Sequence, residues 1–309
     1  MNSTDRNLES KRYLNDNDRA RLLFSRRELN INEEPYYSGF IDQYLPDSIY
    51  QQLAQNFPAV LTTINYDVHD QLESLDANRE PWKNIPELKE LLTIFTTDKF
   101  LRDLRAWITP AMEKYRQDVD KREWIYEHKR HSTKQNEKYR SINVTFKFVT
   151  MATGESLCPH TDGSKKILSL VLYVTDPTWK EDYGGGTDVY EPKYQILKDS
   201  WHDIYAPAEL MNRMHTYKFV GNRLLFVLKS ANSWHGVSPV HCPGGMLRKS
   251  LLITFQDNNA RSRPKHWGLI RRGITRSLSF IERQRVNLAS INDCNHSVMV
   301  GRAGKVDTK

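Results

Sequence analysis

His160, Thr161 and Asp162 set an imidazole and a carboxylate two residues apart, and His235 follows seventy-three residues after Asp162. In an extended chain, residues i and i+2 project from one face, so His160 and Asp162 can both reach a single ion. A third ligand must come from a distant strand folded alongside, and His235 in SWHGVSPV offers it. Two imidazoles and one carboxylate on one face of an octahedron leave three positions open. That arrangement suits a non-haem Fe(II) centre that binds a chelating co-substrate and then oxygen. Taken alone, an HxD pair is weak, because a chain with ten histidines forms such pairs by chance, usually on its surface.

Arg248 stands thirteen residues beyond His235 and opens RKSLLITF, with Ser250 two residues further on. The interval allows one hairpin, after which Arg248 and Ser250 point the same way into the same interior. A buried guanidinium needs an anionic partner. A dicarboxylate whose far end meets Arg and a hydroxyl supplies one, with a bidentate fork as the natural geometry. The competing reading has Arg248 opening a strand and facing solvent.

The elements that must position these residues change character near Ser141. Before it, FIDQYLPDSIYQQLAQNFP starts a helix near Pro46-Asp47, with Ile49, Leu53 and Phe57 on one buried face. A longer helix is expected from about Thr97 to Tyr126, where Phe100, Leu101, Leu104, Trp107, Ile108 and Met112 keep a 3.6-residue rhythm. After Ser141, INVTFKFVTM alternates with period two and ILSLVLYVTD is rich in aliphatic and β-branched residues. Short strands follow at TDVYE, RLLFVLK and KSLLITF. Helices first and antiparallel strands afterwards predict an α+β protein whose second half is a sandwich or barrel.

At this point the stretch from about Ser141 to Gln256 resembles the double-stranded β-helix (jelly-roll, cupin-like) core of the Fe(II)/2-oxoglutarate-dependent dioxygenases, most closely the prolyl-hydroxylase-like branch. HTDG, LVLYVTDPTW, GGGTDVY, GNRLLFVLKS, WHGVSPV and RKSLLITF occur in the family's order. The N-terminal FIDQYLPDSIYQQLAQNFP resembles the helical lead-in of many such enzymes. The resemblance implies iron ligation by His160, Asp162 and His235, and pairing of Arg248 with the distal carboxylate of 2-oxoglutarate, assisted by Ser250. Tyr173 occupies a position where the family often places a phenol on that carboxylate; an aromatic packed in the barrel is the other reading. The cofactors implied are Fe(II), 2-oxoglutarate as co-substrate and O2, with ascorbate as an optional addition. The implied reaction is hydroxylation of an unactivated C–H of a small or medium-sized metabolite (amino acid, sugar or carrier-bound intermediate), with release of succinate and CO2. Retention of Asp162 favours hydroxylation over halogenation, while desaturation, epoxidation and ring formation stay open because the same oxidant performs them. A protein or peptide hydroxylase of prolyl type is the alternative. A nucleic-acid demethylase and a binding protein without turnover on the same fold are weaker readings, the second opposed by the complete triad and Arg248.

The implied organisation is a flexible charged arm over 1–34, one oxygenase domain over 35–259 and a basic extension over 260–309. The domain divides into a helical lead-in at 35–140 and a β-helix core at 141–259. The extension carries eleven Lys or Arg against three acids, which accounts for the net charge of +7. A solvated tail is the plain reading of that extension. The chain shows no interleaving of aromatic and basic residues to stack bases, so nucleic acid is not an expected partner. It has neither GxGxxG nor a Walker lysine, and Gly185-Gly186 reads as a backbone step into a strand. Cys158, Cys242 and Cys294 are odd in number and unpaired in spacing, which fits a reducing compartment. With no apolar run of membrane-spanning length, a cytoplasmic protein is expected. Cys158 reads as a thiol apart from the metal, and His202, His215 and His241 as surface or local hydrogen-bonding groups. Residues 192–220, with Asp199, Trp201, Tyr205 and Arg213, form a candidate lid or local excursion.

Overall fold

The computed structural model describes residues 14–57, 64–67, 86–116, 122–126, 139–198, 201 and 204–257. Two sheets face each other. The larger contains β1 (Asn30–Asn32), β2 (Ser38–Ile41), β3 (Ile64–Asp67), β4 (Glu123–Tyr126), β5 (Tyr139–Met151), β7 (Lys166–Val174), β11 (Leu224–Leu228) and β13 (Arg248–Asp257). Its order is β1-β2-β11-β7-β13-β5-β3, and β4 runs parallel to β5. The smaller contains β6 (Leu157–Thr161), β8 (Thr187–Pro192), β9 (Ile204–Tyr205), β10 (Met211–Tyr217) and β12 (Trp234–Val237), in the order β10-β8-β12-β6-β9. From β5 to β8 and again from β10 to β13 the chain changes sheet at every step. That alternation makes the core a double-stranded β-helix, and with the helices below the protein is α+β.

Period-two alternation sends each strand of the larger sheet two ways. Ile142, Val144, Phe146 and Phe148 of β5, Leu168, Leu170 and Leu172 of β7, and Leu251, Ile253 and Phe255 of β13 join one buried cluster with the helices. Those helices are α2 (Asp47–Gln55), α3 (Pro86–Phe95) and α4 (Asp98–Tyr115). Thr97 caps α4 by accepting from the Phe100 N–H, and Asp98 adds negative charge to its first turn. Phe95 meets Phe100 edge-on at 4.7 Å, and Phe100 stacks on Phe255 at 6.2 Å, tying helices to sheet. No helix of the described residues is long and apolar enough to cross a membrane.

Three expectations change. The long helix stops at Tyr115, and Glu123–Tyr126 is the strand β4, where Trp124 is buried in the helix–sheet cluster. Trp-Ile-Tyr are strong strand formers, and a neighbouring strand outweighs the helical rhythm read across them. The arm expected to be flexible is packed from Leu14 onward. It carries α1 (Asp16–Arg21), its Phe24 ring stacks on Trp107 at 4.3 Å, and the Phe24 N–H donates to Asp103. Leu14, Leu22 and Phe24 are buried, so three well-placed apolar side chains override a charged composition. Segment 192–220 contributes β9 and β10 to the smaller sheet, with Leu197, Ala206, Leu210 and Met211 packed round Trp234. Asp199, His202 and the basic extension 260–309 lie outside the described residues.

Candidate metal centre and co-substrate pocket

His160 is on β6 and His235 on β12, and the two are direct cross-strand partners with ring centroids 4.3 Å apart. Close approach of these strands depends on Gly236, where an added Cβ would lie 2.5 Å from the Leu157 carbonyl oxygen. Asp162 follows the end of β6 on the same side as His160. One ligand atom from each of His160, Asp162 and His235 falls within 4.8 Å of the others, so the three residues converge as the spacing predicts.

The imidazoles are oriented by backbone. Nδ1 of His160 sits 3.1 Å from the Cys158 carbonyl and Nδ1 of His235 sits 3.0 Å from the Ser233 carbonyl. A donated Nδ1–H fixes the tautomer and leaves each Nε2 lone pair for an ion. Burial, with the neighbouring His235, pushes His160 down to about 3, and burial also lowers His235. Both are therefore neutral near pH 7. Burial alone would raise Asp162, but Lys166 and the two imidazoles outweigh it and hold the carboxyl well below its usual range. Neutral nitrogen donors and an ionised oxygen donor are the protonation states a divalent ion requires. Tyr205 stacks on the outer face of His160 at 5.1 Å, which further restricts that ring.

Arg248 begins β13 and is 2% exposed. Its Nε donates to the Gly185 carbonyl at 2.6 Å and Nη1 to Ser250 Oγ at 3.1 Å. The guanidinium lies 4.8 Å from the Phe219 ring centroid and 5.4 Å from that of Tyr173. No carboxylate among the described residues pairs with it. Burial accordingly lowers its pKa, opposed by Tyr173. The reading with Arg248 in solvent is thereby excluded. Ser250 is the cross-strand partner of Tyr173, so Arg248, Ser250 and Tyr173 share one interior pocket. The Tyr173 hydroxyl is engaged at 2.5 Å with Thr187 Oγ1. Gly185, at φ +73°, lets the backbone pass the arginine stem, where an added Cβ would sit 3.0 Å from Arg248 Cδ.

The remaining residues singled out in the sequence stand apart. Cys158 is half-buried, and its carbonyl faces Nδ1 of His160. His215 contacts Asn32, and exposed His241 uses its backbone N–H on Tyr183. Sequence reasoning missed Lys166 and Ser169, whose side chains bond Asp162, and Phe219 and Thr187 in the arginine pocket. Lys166 carried a usable signal, being four residues from Asp162 across a tight turn. Phe219 carried none, because its place depends on how β10 feeds into β11.

Residues 146–256 match the sequence model of the 2OG-Fe(II) oxygenase superfamily. This stretch is a 2OG-Fe(II) oxygenase domain. The matched residues hold the whole triad and the arginine pocket, so the part of the chain that carries the site is the domain of a 2-oxoglutarate-dependent dioxygenase. No curated protein sequence matches the chain. Similar solved structures include a Pseudomonas putida prolyl-4-hydroxylase, 15% identical with a TM-score of 0.38 over 72% of this chain and 87% of that one. A Trichoplax adhaerens prolyl hydroxylase, in complex with a hypoxia inducible factor oxygen degradation domain peptide fragment, is 11% identical with a TM-score of 0.39, covering 71% and 83%. The non-heme alpha ketoglutarate dependent epimerase SnoN from nogalamycin biosynthesis is 13% identical with a TM-score of 0.40, covering 75% and 83%.

Proposed function

We propose that His160, Asp162 and His235 hold Fe(II), that Arg248 receives the distal carboxylate of 2-oxoglutarate, and that the enzyme hydroxylates an unactivated C–H of a small or medium-sized metabolite. The observation that carries this reading is the buried guanidinium of Arg248. It shares the interior between the sheets with the triad and has no acidic partner among the described residues. A buried unpaired charge is costly, and a dicarboxylate bound at its far end offsets that cost.

Bound iron with 2-oxoglutarate and O2 supplies the oxidising power, the co-substrate leaving as succinate and CO2 while one oxygen atom enters the substrate C–H bond. The chain's own residues orient and exclude. Gly185 and Ser250 aim the guanidinium, and the Phe219 and Tyr173 rings keep water from the ion pair it forms. Ser250 Oγ, already accepting from Arg248, has its own proton to give to a carboxylate oxygen. Tyr173 shapes the pocket with its ring while Thr187 holds its hydroxyl. His160 and His235 keep their Nδ1 protons on backbone carbonyls, so neither ring acts as an acid or base during turnover.

Succinate formation tests the reading. Iron-loaded protein given 2-oxoglutarate and oxygen should form succinate slowly without substrate, and His235→Ala and Asp162→Ala should each abolish it. Unchanged succinate formation in both variants would contradict the assignment.

A further inference from the structure

We infer that Lys166 is a positioning residue that restricts Asp162 to coordination through one oxygen; this rests on the reading of His160, Asp162 and His235 as iron ligands. The two carboxylate oxygens of Asp162 have different surroundings. Oδ1 receives the Lys166 ammonium at 2.5 Å. Oδ2 lies 3.9 Å from His235 Nε2, toward the space the three ligands enclose, and accepts the Ser169 hydroxyl at 3.1 Å. Lys166 and Ser169 both stand on β7, so one strand fixes the carboxylate plane at both ends.

Lys166 is itself held by its backbone. Its N–H donates to the Gly163 carbonyl at 3.0 Å, closing the turn between β6 and β7. Its carbonyl accepts from Arg116 Nη1 at 3.1 Å, and Arg116 is buried. The ammonium is thus delivered to Oδ1 from a fixed point, with the side chains of Lys166 and Asp162 only 24% and 10% exposed. A charge-assisted bond so shielded is stronger and shorter than a neutral one. Carboxylates free at both oxygens can bind an ion through one or through two. The Lys166 ammonium repels a cation from Oδ1, whereas the neutral Ser169 hydroxyl leaves a second lone pair on Oδ2. Asp162 therefore offers Oδ2 to the ion, and three positions stay open for a chelating co-substrate and one further ligand.

Cobalt(II) in place of iron provides a test, because its d–d absorption reports coordination number and geometry without turnover. Co(II)-loaded wild-type protein would be compared with Lys166→Gln, Lys166→Arg and Asp162→Ala before and after 2-oxoglutarate is added. The expected result is a changed d–d spectrum in Lys166→Gln before the co-substrate is added, with 2-oxoglutarate affinity lowered about tenfold. Lys166→Arg should keep the wild-type spectrum, since a guanidinium can hold Oδ1 equally. If Lys166→Gln does not fold, Lys166→Met retains the packing of the stem and carries the same comparison. Superimposable spectra of wild type and Lys166→Gln would overturn the inference and leave the ligand assignment standing. Failure of the wild type to bind Co(II), or Co(II) binding unaffected by Asp162→Ala, would overturn the ligand assignment and the inference together.

Discussion

The larger sheet has two faces made by the same strands, and they behave as different materials. Toward the helices, β13 presents Leu251, Ile253 and Phe255, and β7 presents Leu168, Leu170 and Leu172, all in one apolar cluster. Toward the smaller sheet the alternating residues are Arg248, Ser250 and Thr254 on β13 and Ser169 and Tyr173 on β7, every one buried. The helix face stabilises the fold by removing apolar area from water. The interior face carries buried polar and charged groups, which cost stability unless they are paired. Substitutions on the two faces should therefore move different observables.

The largest effect is expected on the interior. Asp162→Ala should lower succinate formation by on the order of a thousandfold or more, since the triad acts as a unit. It should also lower the melting temperature of the metal-free protein, because the shielded Lys166 ammonium loses its carboxylate. Full succinate formation in this variant would show that the carboxylate serves only the Lys166 pair. Arg248→Met comes next. Its 2-oxoglutarate affinity should fall by about 2–5 kcal/mol, the usual cost of truncating one side of a buried charge pair. Calorimetry should find metal affinity unchanged and the melting temperature equal or higher.

On the helix face, Phe255→Ala should cost about 3–5 kcal/mol of stability through the cavity it leaves against Phe100. Denaturant unfolding measures that loss. Affinity for 2-oxoglutarate, measured on the remaining folded protein, should stay at the wild-type value, and a parallel loss would break the distinction between the faces.

The smallest effect is a pH dependence. His160 has its pKa pushed down to about 3 by burial and by His235. Between that value and the ordinary 6.5 the unfolded chain binds a proton that the folded chain does not, so stability falls as pH drops through this window. From pH 6.5 to 5 the loss is about 2 kcal/mol from this residue. Asp162, held low in the fold, acts in the same direction at lower pH, because it too is protonated first in the unfolded chain. Denaturant titrations of metal-free protein at pH 6.5 and 5 should show this slope, and it should be shallower in His160→Gln.

Residues on the interior face were legible in the sequence where spacing alone fixes direction. His160 with Asp162, and Arg248 with Ser250, are pairs at i and i+2, and a strand sends such pairs to one side whatever else the chain does. His235 needed only a strand end beside a glycine. Lys166 escaped notice because its contact runs across a turn, where direction depends on backbone angles more than on periodicity. Phe219 meets the arginine and Thr187 meets Tyr173 only once distant parts of the chain are brought together, which no local pattern encodes. On the helix face, periodicity revealed α2 and the whole of α4. It overran into β4, because Trp124-Ile125-Tyr126 satisfies a helical stripe and a strand equally well until a neighbouring strand decides. The packing of Leu14, Leu22 and Phe24 was hidden by the charges around them, since composition averages over the few side chains that matter.

We propose that one interior holds both the metal, on His160, Asp162 and His235, and the dicarboxylate, on Arg248. Anaerobic calorimetric titration of the Fe(II)-loaded protein with 2-oxoglutarate tests it most directly, with the metal-free protein and Arg248→Met run alongside. Saturable binding of one co-substrate per chain is predicted, weakened in Arg248→Met and weakened again when iron is withheld. Absence of binding in the Fe(II)-loaded wild type, or binding indifferent to both iron and Arg248, would contradict the account.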